Sequence, residues 1–305
     1  MLQEMGSLRG PVRLVEPFGR GGGPDVIGRV LLDPLSEAWG APTELHNHPG
    51  GGATDAPALV AVSQGETLLL NTSAHAYSAV LRRGLSYDPI TDFVAVAGVS
   101  TQPYALVATP RPELATLQDL SSSAKARPGA LKFASTGTGT GTHLGVEELN
   151  ANLGIVAVHA PPAPSDSITE TVDRVVRGDV DYAMAPISMV STPLSCAELV
   201  CLGVTTAHRS ELLPSAPTLA EAGAEGFDFP VWYGIWAPAA TPTSVVDYLA
   251  SGIATVLRSP EVVARLAEHG AAPMHLVGAA FASFVVDEVR RAQQIASSAG
   301  ITPTT

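Results

Sequence analysis

Apolar and polar positions alternate in blocks along this 305-residue chain, and the blocks have two periods. Short stretches at 12–15 (VRLV), 44–46 (ELH) and 67–71 (TLLLN) have strand character. Between them, 24–38 and 54–62 carry apolar residues at helical spacing. Gly23 reads as the first helix's N-cap, with Pro24 at the first helical position and Asp25 in the first turn. Pro34 lies inside the same pattern and predicts a kink or a split. Strand, helix, strand, helix in this rhythm predicts an α/β fold with a parallel sheet covered by helices on both faces.

The rhythm repeats with a second set of residues. Strands are expected at 104–108, 131–134, 155–159, 182–185 and 200–204. Helices are expected at 116–127, closed by Pro128-Gly129, at 143–152 and at 167–177. After VWYGIWAP at 231–238 come three helical stretches, 244–257, 260–269 and 279–298. They have no sheet of their own in this reading and are expected to pack back onto the first half. Each half contains a strand, a glycine-rich turn and a helix start. The expected division is 1–104 plus 230–305 for one lobe and 105–229 for the other.

The two turns, GRGGGPD and STGTGTGTH, are the most informative features. Gly19, Gly21, Gly22 and Gly23 crowd into five positions, which is costly to order unless the backbone must be approached closely or turned unusually. Consecutive amides at such a turn form an anion-sized concavity, and the following helix adds the positive end of its dipole. Thr136, Thr138, Thr140 and Thr142 supply hydroxyl donors in the second turn. Neither turn has the Gly-Lys-Ser/Thr of a Walker loop or the spacing of a dinucleotide fingerprint. A tight strand-to-helix turn with no ligand remains the simpler use of either loop alone.

Charge narrows the partner class. The net charge of −12, with only two lysines, argues against nucleic acid, which is bound through basic patches. It leaves small anions open, because a site can be locally positive. The apolar runs are too short to span a bilayer. Cys196 and Cys201 could pair in an oxidising compartment, but two thiols are the simpler reading, and no cofactor or metal site is indicated. The N-terminus MLQEMGSLRGPVRLV has no basic start followed by an apolar run. If Met1 is the native start, the protein is expected in the cytoplasm; if a leader was removed upstream, it is exported and periplasmic.

VRLVEPFGRGGGPDVIGRVL resembles the opening of the solute-binding receptors of tripartite tricarboxylate transport systems, the Bug family. The resemblance continues through HNHPGGGATDAPALVA, LSYDPITDFVAVAGV, ARPGALKFASTGTGTGTHLG, TTAHRSELLPSAPTLAEAG and WYGIWAPAATP. It implies a two-lobed periplasmic-binding-protein-like fold, a Venus flytrap with its ligand cleft between the lobes. It also implies a small organic carboxylate as ligand and a membrane transporter as partner. Carried over residue by residue, the ligand contacts are Phe18, Gly21, Gly22 and Asp25 in the first loop. In the second they are Ser135, Thr136, Gly137 and His143. Asp181 matches a family aspartate near the cleft, and Ser73 lies on a loop where members often contact ligand. Thr140 joins this set by its hydroxyl.

Departures from the family are concentrated around these loops. Glu16 stands where an apolar residue is usual, and Arg20 where a small residue or proline is. Arg20 could neutralise a carboxylate bidentately, with Glu16 as its structural partner or as an acid/base group. HNH at 46–48 puts histidines where Glu and Arg are expected, and HAPPAP at 159–164 lacks the family's Tyr, Lys and Gly. His143 and Glu147 lie one helical turn apart, within reach of a shared metal only if a third ligand joined them. Ser73, His75 and Asp25 can be drawn as a triad, but no GxSxG elbow supports it. Two functions therefore stand: a receptor that captures a small carboxylate without chemistry, and an intracellular isomerase, lyase or decarboxylase built on the same fold. The acid/base candidates for the second are Glu16, His46, His75, His143 and His159. Oligomeric state is left open.

Overall fold

The computed structural model describes residues 8, 10–64, 66–161 and 167–304. The chain divides into two compact units, one of residues 1–101 with 232–293, the other of 102–231 with 294–304. Each is organised around its own mixed sheet.

Unit 1 begins with β1 (Val12–Glu16), α1 (Gly23–Trp39), β2 (Thr43–Asn47), α2 (Asp55–Ala61) and β3 (Thr67–Thr72). It continues through α3 (Ala74–Leu81) and β4 (Phe93–Gln102). After unit 2, the chain returns as β10 (Val231–Pro238), α8 (Thr243–Val256), α9 (Pro260–Glu268), β11 (Ala272–Val277) and α10 (Ala279–Ser298). The sheet order is β2-β1-β3-β10-β4-β11, with β1 parallel to β2 and β3. β10 runs antiparallel to β3, and β11 antiparallel to β4. The wholly parallel sheet expected from the strand–helix rhythm is thus corrected to a mixed one. The sequence pattern assigned no element to β4 or to β10 (VWYGIWAP), and after 238, where β11 lies, it placed only helices. All eight residues of β10 are buried, as a central strand covered on both faces requires. Edge strand β2 alternates between half-buried and exposed positions.

Apolar spacing makes α1 a helix and seats it. Ile27, Val30, Leu31, Leu35 and Trp39 are buried along one face. The helix runs unbroken past Pro34, contrary to the expected kink, and its N-cap is Gly22 rather than Gly23. Gly40 ends it in the left-handed region, with its amide donating to Glu37 and that of Ala41 to Ser36. Against it lies α8: the Trp39 indole N–H donates to the Leu249 carbonyl at 3.1 Å, and the Tyr248 hydroxyl to the Trp39 carbonyl at 2.9 Å. A Cβ at Gly252 of α8 would strike that indole, which explains a glycine in mid-helix.

Unit 2 holds β5 (Tyr104–Ala108), α4 (Leu117–Ala126), β6 (Lys132–Ala134), α5 (Gly141–Leu153) and β7 (Val158–His159). It closes with α6 (Ile168–Arg177), β8 (Tyr182–Pro186), α7 (Ile187–Ser195) and β9 (Val200–Val204). The order is β7-β6-β8-β5-β9, with β7, β6 and β8 parallel and β5 antiparallel to both β8 and β9. Thr116 and Ser167 cap α4 and α6 by accepting the amides of Asp119 and Glu170. Cys196 and Cys201 are free thiols, the first exposed. Among the described residues, no helix is long and apolar enough to cross a membrane.

The two units repeat one plan. In each, the strand that feeds a glycine loop (β1 or β6) lies between two parallel neighbours, and the next two crossovers go to opposite sides of it. That is a topological switch point, where open α/β sheets leave a crevice at the carboxyl ends of the strands.

One buried carboxylate ties three elements of unit 1. Glu288 of α10 is 8% exposed and accepts from the Tyr77 hydroxyl of α3 and the Trp232 indole of β10, both at 2.8 Å. Glu288→Ala strands both donors and is expected to lower unfolding free energy by about 3 kcal/mol. Glu288→Gln, which keeps an acceptor, is expected to lose clearly less. Urea denaturation of the two variants checks this, and equal losses would contradict it.

Candidate functional site

The first glycine loop leaves the carboxyl end of β1 and ends in α1. Its shape is set by two carboxylates of the chain itself. Asp25, in the first turn of α1 and 3% exposed, accepts the Gly21 amide on Oδ2 at 2.9 Å. Arg29 grips the same carboxylate with two bonds, Nε to Oδ2 at 3.0 Å and Nη2 to Oδ1 at 2.9 Å. These donors hold the Asp25 pKa down at about 2, with the Arg29 bonds the largest cause. Gly21 sits at φ +81°, a left-handed conformation that favours glycine. Gly22 has an ordinary φ of −69°, so its lack of a side chain is not a dihedral requirement.

Glu16, the last residue of β1, is fully buried. Its Oε2 accepts the Phe18 amide at 2.7 Å, and its Oε1 accepts the Asn47 side-chain amide from β2. The same Asn47 nitrogen reaches Asp25 Oδ1 at 3.0 Å, so one amide bridges both carboxylates. Arg29 is bonded to Asp25, which leaves Glu16 without a direct cationic partner. Burial therefore pushes the Glu16 pKa up to about 7, against the lowering effect of its two donors. The expected Glu16–Arg20 pair is corrected by this arrangement: Arg20 is exposed on the loop, and Glu16 turns inward to Asn47 and Phe18. The Gly22 amide donates to the Gly19 carbonyl at 3.1 Å. Gly19 and Arg20 are exposed residues, and among the described residues nothing in the chain accepts from their amides.

Ser73 lies at the carboxyl end of β3, β1's parallel neighbour, where it N-caps α3 and its amide donates to the Trp232 carbonyl. His75, two residues on, is enclosed. Tyr87 stacks over it, and Phe93 and Trp236 meet it edge-on, each with ring centroids 4.7 Å away. Neither ring nitrogen bonds Ser73 or Asp25, and burial pulls its pKa down to about 3 against a smaller raising effect of the Pro89 backbone. The triad drawn from Ser73, His75 and Asp25 therefore has no hydrogen bond to run on. His46 is exposed on edge strand β2, 3.0 Å from Glu44.

The second loop leaves the carboxyl end of β6 and enters α5. It closes on itself through hydroxyls. Ser135 Oγ accepts the Gly137 amide, and Thr142 Oγ1 accepts that of Thr136. Thr140 Oγ1 donates to the Gly137 carbonyl at 2.8 Å. His143 Nδ1 accepts the Gly139 amide at 2.9 Å, which places its proton on Nε2, toward Glu147 Oε1 at 3.7 Å. His159 of β7 joins from the side: its Nε2 is 2.8 Å from Ser135 Oγ, and its ring stacks on His143 at 3.9 Å. Burial and the neighbouring His143 and Arg174 pull the His159 pKa down to about 4. Ser135, Thr136, Gly137, Thr140 and His143 are thus one hydrogen-bonded cluster, and His159 belongs to it.

Asp181 does not join them. It stands at the amino-terminal ends of β6 and β8, where it accepts the Lys132 amide at 2.7 Å and pairs with Arg111 at 3.1 Å. The loop leaves the opposite end of β6. Of the HAPPAP stretch, residues 162–164 lie outside the described residues. Among the described residues, no three His, Cys, Asp or Glu side chains gather as a metal site. Asn47, missed by sequence reasoning as a site residue, is the bridge of the first loop. Its signal was its pairing with Glu16 across parallel strands β1 and β2.

A buried acid with a raised pKa has a definite effect on stability. Folded Glu16 binds its proton more tightly than the unfolded chain does. Its contribution is therefore fully present below about pH 4.5 and lost as pH rises to about 7. Glu16→Gln is expected to remove this component of the pH dependence, leaving a flatter stability curve between those limits. Denaturant titrations of both proteins at four or five pH values check it, and parallel curves would contradict it.

Comparison with known proteins gives the family. The model of the tripartite tricarboxylate transporter family receptor matches residues 27–301. The protein BugT of Bordetella pertussis is 32% identical over 291 residues, covering 92% of this chain and 86% of that protein. Among solved structures, R. palustris Rpa4515 with adipate superposes with a TM-score of 0.81 at 30% identity, covering 97% of this chain and 99% of that one. The periplasmic binding protein BugD gives 0.79 at 25% identity, with coverage of 97% and 99%. The chain therefore belongs to the family of tripartite tricarboxylate transporter receptors.

Proposed function

We propose that this protein is a solute-binding receptor that captures a small organic carboxylate at its glycine loops, in the periplasm, and delivers it to a membrane transporter. The observation that carries this reading is the repeated construction. In each unit, a glycine loop and a helix start lie at the switch point of the sheet. The amides of the exposed residues Gly19 and Arg20 and a helix dipole suit a carboxylate there. The Arg20 guanidinium, on the same exposed loop, adds positive charge. Adipate in the similar R. palustris protein supports the ligand class, and periplasmic BugD supports the compartment. Binding would shift a conformational equilibrium by its differential affinity for two states, with no chemistry required.

A thermal-shift panel of saturated and hydroxylated dicarboxylates tests this directly. A ligand at about 100 times its Kd adds about 2.7 kcal/mol of stability, a clear shift. The bound acid is then recovered after denaturation. Recovery unchanged supports the receptor, recovery as a different compound supports an enzyme, and no shift across the panel overturns carboxylate capture. Gly22→Val supplies the local check. Its Cβ would lie 3.1 Å from the Gly19 carbonyl oxygen while its φ suits any residue. It is expected to weaken binding about tenfold or more with little loss of stability. Calorimetry and urea denaturation of the same variant measure both.

A further inference from the structure

We propose that Glu16 makes carboxylate capture at the first glycine loop a proton-linked event, in which an acid bound there drives a proton onto Glu16. This rests on the receptor reading above and adds a residue to it that sets when the acid is held.

The cluster's charge count is the argument. Glu16 and Asp25 are two buried carboxylates bridged by one Asn47 amide, with one cation, Arg29, bonded to Asp25. With both acids ionised the cluster carries one net negative charge; with Glu16 protonated it is neutral. Glu16 also holds the Phe18 amide at the entrance of the loop, so its charge is bonded into the segment that leads to the Gly19 and Arg20 amides. An arriving carboxylate adds a like charge beside it. Like charges at close range in a buried setting raise the pKa of the more weakly compensated partner. That partner is Glu16, since Asp25 is fixed in its ionised form by two Arg29 bonds. A group already poised near neutrality takes up the proton at little cost.

Among the described residues, the elements packed on β1 present few other charged groups; Asp55 of α2 is exposed. From α1, Asp25 and Arg29 face Glu16. From β2 comes only the neutral Asn47, because Glu44 and His46 point outward and pair with each other. His48, just after β2, is exposed and touches Glu16 through its backbone amide to the Glu16 carbonyl. β3 has no titratable residue, and Arg13 and Arg20 are exposed. Tyr233 of β10 lies across the helix start at Gly23.

Calorimetry of the full chain tests this with adipate and a series of saturated dicarboxylates. Titrations are run at about pH 7 in two buffers of different ionisation enthalpy. The expected result is uptake of up to about half a proton per acid bound. Affinity is expected to fall about threefold to tenfold between about pH 6 and about pH 8.5, where these acids stay fully ionised. Glu16→Gln is expected to abolish the uptake and flatten the profile at the tight end. Carbon-13 titration of the Glu16 carboxyl, with and without adipate, gives the same answer in wild-type protein should the variant fold poorly: its midpoint should move up on binding. Binding with no proton uptake, or uptake that persists in Glu16→Gln, overturns this inference and leaves the receptor reading standing. No binding across the series overturns both.

Discussion

Asp25 is the constraint around which the first glycine loop is built. A loop with this much glycine would sample many shapes in solution. Here one carboxylate takes the Gly21 amide, two bonds from Arg29 one turn along α1, and the Asn47 amide from β2. Strand, loop and helix are thereby fixed together before any ligand arrives. Order supplied by the chain is order that binding need not supply, which is how a small anion can be held with useful affinity. The amides that Asp25, Glu16 and Gly19 occupy are withdrawn from binding, and those of Gly19 and Arg20 are left at the exposed tip. The family-matched Asp25 reads better as the organiser of the loop than as a contact of the ligand.

The second loop reaches the same end with hydroxyls and a histidine. Ser135, Thr140 and Thr142 hydroxyls and the unprotonated nitrogen of His143 fold STGTGTG onto itself. The stacked, deprotonated His159 backs it as Asn47 backs the first loop. Topology explains why two different chemistries occupy equivalent positions. The 2-1-3 pattern of parallel strands, repeated as 7-6-8, creates one crevice per sheet at the strand ends. A glycine loop is the connection that leaves such a crevice open.

Much of this was legible in the sequence because it is local. β5, β9 and α10 match the pattern end to end, and the loops announced themselves by glycine alone. What was missed depends on distant packing. β10 reads as an apolar run of ambiguous type and becomes a central strand only because β3 pairs with its middle residues. β11 is an edge strand with a register shift between Pro273 and Leu276, so its alternation is weak. α3 is short, and α7 carries Pro193 among Ser and Thr, which blunts helical propensity. Pro34 was given too much weight: α1 is held along its length by buried Leu31, Leu35 and Trp39, and that packing carries it past the missing amide. Asp181 was placed by motif alone, and strand direction puts it at the other end of β6 from the loop.

Glu16 shows what one acid at the end of a buried strand can do. An apolar side chain at the end of β1 would fill the same buried position without charge. A glutamate there has to find two donors, and it finds them in Phe18 and Asn47, the residues that begin the loop and bridge to Asp25. The acid is therefore bonded into the frame of the first glycine loop. Because Arg29 is already engaged by Asp25, the added acid remains only partly compensated, and its protonation state follows pH in the range where Asp25 stays ionised. In the second loop, burial, then His143 and Arg174, pull the His159 pKa down to about 4. The two glycine loops are thus framed differently: the first by two buried carboxylates that share one Asn47 amide, the second by hydroxyls and a stacked histidine pair.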